Sequence, residues 1–195
     1  MRKVIVDEWM TLDGIVQAPS YPDEDRAGGF RHGGWHRPYF DDLSMSWTLE
    51  NVTSAGGYLL GRRTFEIFAS HWPEAGEEEQ ALAQPLNARP KHVASKTLSE
   101  PLEWHNSTLL HGEVAAAVAA LKRECGDALH VFGSTELVTT LLEYHLVDEF
   151  RLMIDPVVAG DGKRLFREIG ELKPLGDSEV TSTGAILATY SAAKA

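Results

Sequence analysis

One cysteine, Cys125, is all that the 195 residues contain, which excludes an internal disulfide and any cysteine-based metal cluster. Its place at the end of an alanine-rich helix predicts a structural thiol and not a nucleophile. Basic residues are scarce as well: 18 Lys and Arg stand against 29 Asp and Glu, a formal net charge of -11. Such a chain offers no basic face to a nucleic-acid backbone and none to an anionic membrane surface. No apolar run approaches the ~20 residues that cross a bilayer. Met1-Arg2-Lys3 leads into a strand and not into a signal peptide, so a cytoplasmic protein is expected.

Several familiar signatures are also missing. The dinucleotide fingerprint G-x-G-x-x-G is absent, which disfavours a Rossmann domain, and no Gly-x-Ser-x-Gly elbow points to a hydrolase. Gly160-Asp161-Gly162-Lys163 is followed by Arg164, where a P-loop needs Ser or Thr. His32 and His36 lie four apart in a glycine-rich loop, where that spacing fixes no common face; they read as solvated histidines, and no metal site is expected. There is neither an internal repeat nor a linker. A hydrophobic content of 43% over this length suffices for one core, so residues 1–195 are expected to form a single domain.

What is present is an alternation of strands and helices. Val4, Ile5 and Val6 mark a buried-type strand from Lys3 to Trp9, followed by the turn former Asp13-Gly14. From Ala18 to Pro38 the composition turns to Gly, Pro, Asp, Arg and His, which predicts a long mobile loop. A helix is expected over Tyr39–Ser54, with Asp41 and Asp42 at its positive end. Strand Tyr58–Leu60 runs into a helix at Arg62, and His71–Pro90 reads as surface loops with a short helix. Strands near Lys91–Ser95 and Thr108–His111, a helix over Glu113–Glu124, and strand Leu129–Phe132 follow. Ser134 is placed to cap a helix through Leu142, Phe150, Leu152 and Ile154 alternate in a strand, and Glu179–Ser182 with Ile186–Ser191 reads as a terminal hairpin around Gly184. The pattern predicts an α/β fold with a mostly parallel central sheet, helices on both faces and an antiparallel C-terminal hairpin.

In such sheets ligands bind beyond the carboxyl ends of the strands. Gly61-Arg62-Arg63-Thr64 stands at one such end: glycine permits close approach, the first amides of the helix have no intrahelical acceptor, and two guanidiniums stand beside them. Gly133 opens a second strand-to-helix turn, and two such turns can clasp a pyrophosphate. The alternative for the arginine pair is an ordinary helix start with solvated charges.

The order of motifs resembles the dihydrofolate reductase-like fold and, within it, the C-terminal reductase domain of the bifunctional riboflavin-biosynthesis deaminase-reductase. The residues that carry the resemblance are Thr11-Leu12-Asp13-Gly14, Leu60-Gly61-Arg62-Arg63-Thr64-Phe65-Glu66, Ser95-Lys96-Thr97-Leu98 and Val131-Phe132-Gly133-Ser134-Thr135-Glu136-Leu137, with Leu146-Val147-Asp148-Glu149, Pro156-Val157-Val158 and Gly160-Asp161-Gly162-Lys163 after them. The resemblance spans nearly the whole chain. It implies an NADPH-dependent reductase similar to 5-amino-6-(5-phosphoribosylamino)uracil reductase, acting on a small molecule and paired as a homodimer. Gly61, Arg62, Arg63 and Thr64 would hold the pyrophosphate, Ser95, Lys96 and Thr97 the adenosine 2′-phosphate, and Gly133, Ser134, Thr135, Glu136 and Leu137 the other side of the cofactor. A 2′-phosphate calls for cations where a bare ribose favours a carboxylate, which agrees with NADPH over NADH.

For the proton that accompanies hydride transfer, Asp13 is the first candidate, with bonding to its own turn as the alternative. Asp41 and Asp42 are the next, with helix-dipole stabilisation as the alternative. Trp47 and Phe68 are candidates to line an aromatic substrate pocket, against a core role at the same spacing. The chain departs from the family at Phe132-Gly133-Ser134, where the riboflavin enzyme has Glu-Gly-Gly, and it carries no zinc signature of a deaminase. A different small carbonyl or pteridine substrate therefore stays open, as does a catalytically silent NADP(H)-binding sensor or assembly protein.

Overall fold

The computed structural model describes residues 1–167 and 170–192. Its strands are β1 (Val4–Thr11), β2 (Gly57–Gly61), β3 (Lys91–Ala94), β4 (Ser107–Leu109), β5 (Leu129–Val131), β6 (Glu149–Asp155), β7 (Leu172–Pro174), β8 (Glu179–Val180) and β9 (Ile186–Ala192). They form one sheet in the order β4-β3-β2-β5-β1-β6-β9-β7, with β8 beside β9. From β4 to β6 all neighbours are parallel, and β7, β8 and β9 are added antiparallel. The helices are α1 (Asp42–Ser54), α2 (Arg62–His71), α3 (Gln80–Ala88), α4 (Val114–Arg123) and α5 (Thr135–Glu143). No helix among the described residues is long and apolar enough to cross a membrane.

Side-chain alternation decides which helices cover which face. Val4 and Val6 of β1 pack with Val118 of α4 and with Leu137, Val138 and Leu141 of α5. Tyr58 and Leu60 of β2 pack on the other face with Val52 of α1, Phe65 of α2 and Leu86 of α3. Burial on both faces is what a central parallel strand requires, and it accounts for the continuous apolar runs at Val4–Val6 and Tyr58–Leu60.

Several boundaries move from the sequence reading, each for a local reason. Helix α1 begins at Asp42 because Asp41 accepts the Ser44 amide at 3.0 Å as its N-cap, while Arg37–Tyr39 closes in a separate 3-10 turn. Strand β7 was not anticipated; three residues with one proline carry no readable period. Cys125, expected to be a structural thiol at the end of the helix, lies beyond the end of α4 and is exposed.

The segment 18–38, expected to be mobile, is folded against the sheet. Phe30 and Trp35 are buried with Ile15 and Ala18, Trp35 Nε1 donates to Gln17 O at 2.8 Å, and Gln17 Nε2 donates to Asp25 O and Ala27 O. His36 is buried too, not solvated: its Nδ1 lies 2.6 Å from Asp155 Oδ2 and its ring stacks on Trp9 at 4.5 Å. Glycine and proline ruled out a regular element here, but the aromatic residues between them supply a core of their own.

Strand β5 ends at Val131, opposite Val6, whereas β1 continues to Thr11. On its other side β1 stays paired with β6 as far as Thr11↔Asp155. A slot is left beside Asp7, Glu8 and Trp9, and Phe132-Gly133-Ser134 turns across its mouth into α5. Gly133 has φ +77, and the peptide joining it to Ser134 is cis. Gly61 donates its amide to Gly133 O at 3.3 Å, so the two strand-to-helix turns touch.

Two stability outcomes follow from these contacts. A Cβ at Gly61 would lie 2.3 Å from Ser134 Oγ and 3.0 Å from Ser134 N. Gly61→Ala is expected to cost about 1–3 kcal/mol in urea unfolding, with partial recovery when Ser134→Gly is added. Lys91 is fully buried; its Nζ donates to Leu86 O, Asn87 O and Arg89 O at 2.9–3.1 Å and lies 4.3 Å from the Trp104 ring. Lys91→Met leaves those carbonyls without a donor and is expected to cost about 3 kcal/mol in the same measurement.

Candidate functional site

Two adjoining spaces open at the carboxyl ends of the strands. The first is a groove of about 410 Å³ lined by Gly61, Arg62, Arg63, Ser95, Lys96, Thr97, Ser134, Glu136 and Leu137, among others. That volume lies within the range of small-molecule sites. The second, of about 150 Å³, is bordered by Glu8, Trp47, Phe68, Phe132, Gly133 and Thr135, with Thr64 and Asp7. Space of that size accommodates roughly one flat ring. Arg63 and Ser134 border both. The fold thus brings the residues singled out as cofactor-binding to one continuous edge, and Trp47 and Phe68 to the smaller cavity.

The groove is built by two helix starts. Gly61 caps α2 and Ser134 caps α5, and neither makes a side-chain capping bond, so the first N–H groups of both helices are left to an outside acceptor. Because a side chain at Gly61 would strike Ser134, only glycine lets the two ends converge. Free amides at two converging helix starts, beside guanidiniums and an exposed Lys96, fit a dinucleotide phosphate chain. The arginines are already engaged, however: Arg62 NH1 bonds both Glu66 carboxylate oxygens at 2.9 Å, and Arg63 NH1 bonds Asp25 Oδ1 at 3.2 Å. Lys96 has no ion pair among the described residues. Ser95 Oγ accepts the amides of Thr97 and Leu98 and so shapes the turn that carries Lys96.

Asp13, the first candidate for proton transfer, does not border either space. Its carboxylate accepts the Thr11 hydroxyl at 2.6 Å and the amides of Ala159 and Gly160 at 3.1 and 2.8 Å. The Thr11 bond, and after it those two amides, hold it down at about 2, below the ordinary carboxylate range. It is a clamp between the turn after β1 and the turn after β6. Asp41 is likewise absent from the cavity: besides capping α1 it accepts Ser182 N and Oγ at 2.9 and 2.6 Å, pinning the terminal hairpin. Asp42 is exposed in the first turn of α1. The structure therefore corrects Asp13 and Asp42 from catalytic candidates to structural and surface carboxylates.

Asp7, Glu24 and Asp25 border the cavity, and so does the half-buried Glu8. It accepts no hydrogen bond and makes no ion pair among the described residues, and its Oε1 is sealed from solvent without a partner. A Cβ placed on Gly133 would lie 3.6 Å from that oxygen and 3.2 Å from Thr64 Oγ1. Burial pushes the Glu8 carboxyl well above the ordinary range, and Asp7 and Glu24 push it the same way. Its neighbour Asp7, on the opposite face, lies 2.7 Å from His130 Nδ1; burial raises its pKa, with His130 acting against that rise. Glu24 accepts the amides of Ser20 and Tyr21. The signal for Glu8 was present in the sequence: two adjacent carboxylates inside an apolar strand point to opposite faces, so both cannot reach water.

At the rim, Asp25 accepts Lys163 Nζ, Arg63 NH1 at 3.2 Å and the Ala27 amide at 3.0 Å. Burial works against its ionisation, but the Lys163 bond and the Ala27 amide outweigh it and leave the pKa lowered. Segment 18–38 is thereby tied to α2 across the entrance. No group of three or more His, Cys, Asp or Glu among the described residues is placed to hold a metal ion.

Comparison with known proteins agrees with this architecture. The chain is 28% identical over 170 residues to the uncharacterized protein YyaP of Bacillus subtilis (strain 168), covering 86% of this chain and 82% of that protein. A Shewanella sp. PV-4 protein assigned provisionally to riboflavin biosynthesis superposes with a TM-score of 0.67 at 19% identity, over 98% of this chain and 99% of that one. Dihydrofolate reductase from Enterococcus faecalis, solved with NADP(H), superposes with a TM-score of 0.62 at 14% identity, over 98% and 97% of the two chains. The α/β fold is dihydrofolate reductase-like. Residues 2–187 match the model of the RibD C-terminal domain, and the chain belongs to that family.

Proposed function

We propose that the protein is an NADPH-dependent reductase that passes a hydride to a small, flat substrate. The observation that carries this reading is the junction at Gly61 and Ser134, where two helix starts without side-chain capping bonds meet beside a ring-sized aromatic cavity. NADPH, when bound, would supply a hydride, which carries two electrons. The amides at the starts of α2 and α5 would hold its pyrophosphate, and Lys96, presented by the Ser95 turn, would pair with the 2′-phosphate. Trp47, Phe68 and Phe132 would exclude water around the reacting rings, which strengthens every electrostatic contact within. Arg63 would serve both spaces, since it borders each. The family and the likeness to an NADP(H)-bound reductase support the reading.

Titration of the purified protein with NADPH and NADH, followed by tryptophan quenching and energy transfer to the reduced nicotinamide, tests the cofactor directly. NADPH is expected to bind at least about tenfold more tightly than NADH, as one charge-assisted contact provides. Lys96→Ala is expected to remove most of that preference while leaving NADH affinity unchanged. Absence of binding by either nucleotide contradicts the assignment.

A further inference from the structure

We propose that Arg63 is contested between Asp25 and the phosphate group that the groove takes, so that filling the groove unlatches segment 18–38 from the wall of the neighbouring cavity. The inference rests on the nucleotide reading of the groove given above. It goes beyond that reading by coupling the occupancy of one space to access to the other.

Arg63 sits in the first turn of α2 and borders both spaces. Its NH1 bonds Asp25 Oδ1, 38 positions earlier in the chain. Asp25 in turn belongs to a stretch, with Pro19, Ser20 and Glu24, that walls the cavity. One ion pair thus joins the cover of the cavity to the helix start that faces the groove. A phosphate held by the free amides of α2 would meet the same guanidinium, and there the helix dipole adds to the attraction. A single positive charge cannot neutralise both anions, so each weakens the hold of the other.

The exchange strands no group. Without Arg63, Asp25 keeps Lys163 Nζ on Oδ2 and the Ala27 amide on Oδ1 at 3.0 Å; the Arg63 bond, at 3.2 Å, is the longest of the three. Arg62 behaves differently. Its NH1 bonds both oxygens of Glu66, one turn further along the same helix, so giving up that pair would release no other segment. Glu24 is no substitute for Asp25, because it accepts the amides of Ser20 and Tyr21.

The ends of the segment are fastened without Asp25. Gly34 N donates to Ala18 O at 2.9 Å and His36 N to Pro19 O at 3.1 Å, and the His36 ring is paired with Asp155. The stretch 20–27 between them is held by the Asp25 side chain, by Gln17 Nε2 on Asp25 O and Ala27 O, and by Tyr21 against His71 at 6.2 Å between ring centroids. Loss of the Arg63 bond therefore loosens the middle of the segment and leaves its ends seated. The nucleotide then enters first and the ring second. By linkage, the latch lowers phosphate affinity by the same factor by which phosphate loosens the latch.

Wild type, Asp25→Asn, Arg63→Gln and the double variant are titrated by calorimetry with NADP+ and, separately, with inorganic pyrophosphate. Hydrogen exchange over residues 20–27 is followed by mass spectrometry with and without each ligand. Asparagine at position 25 can still accept the Ala27 amide but offers Arg63 no charge. Asp25→Asn is expected to bind both ligands about fivefold more tightly than wild type, the upper end for a partly exposed ion pair. No gain is expected from the same change in the Arg63→Gln background. In wild type, either ligand is expected to speed exchange over residues 20–27 about threefold or more while Gly34 and His36 stay as they were, and ligand-free Asp25→Asn is expected to show the faster exchange already. An equal gain in both backgrounds would assign the effect to general charge repulsion and overturn the inference. So would unchanged or slower exchange over residues 20–27 on binding, or failure of wild type to bind either ligand. Pyrophosphate binding that follows the expected pattern without any binding of NADP+ would keep the latch and sink the reductase reading.

Discussion

The site depends on one mismatch of strand length. Strand β5 stops opposite Val6 while β1 runs on to Thr11, held from its other side by β6. Had β5 continued, its side chains would fill the slot, and the turn at Gly133 would lie beyond the reach of Gly61. Because it stops, the chain must turn within van der Waals distance of the start of α2, and the last residues of β1 become a wall. The mismatch is supported by packing on both faces: Val118, Leu137, Val138 and Leu141 secure one side of the short strand, and Tyr58 with Val52 secures the other. Stability of the core and openness of the site therefore come from the same register.

Around that slot the fold buries Asp7 and Asp155 and half-buries Glu8. Asp7 and Asp155 are each matched by a buried histidine, at 2.7 and 2.6 Å, and the second of these pairs fastens segment 18–38 to the end of β6. Glu8 has no such match. A carboxyl with one oxygen sealed and unpartnered costs free energy that an apolar side chain would not. Asp7 and Asp155 each keep one oxygen on a histidine and leave the other without a partner, whereas Glu8 has no partner at all among the described residues.

Local features of the site were legible in the sequence, and features that join distant segments were not. The Gly61 and Gly133 turns declare themselves because strand, glycine and amphipathic helix follow one another within a few residues. Asp13 was misread because the amides that saturate it, Ala159 and Gly160, stand 146 and 147 positions away. His36 was misread for the same reason, its partner Asp155 being 119 positions away. Arg62 and Arg63 line the groove, but Glu66 and Asp25, neither of which the sequence pointed to as a partner, hold them. Glu8 needed the register of β5 against β1 before its surroundings could be known; the adjacent Asp7-Glu8 pair alone said that something unusual was buried.

The central claim is that the starts of α2 and α5 form one nucleotide site that opens onto the cavity beside Glu8. Backbone amide NMR of the uniformly labelled protein during titration with NADP+ tests it most directly, because the two helix starts report separately. The account predicts that the largest shifts fall on Arg62, Arg63 and Thr135, with further shifts at Ser95 to Thr97 and at Gly133. Shifts confined to one of the two turns, or centred elsewhere on the sheet, would contradict it.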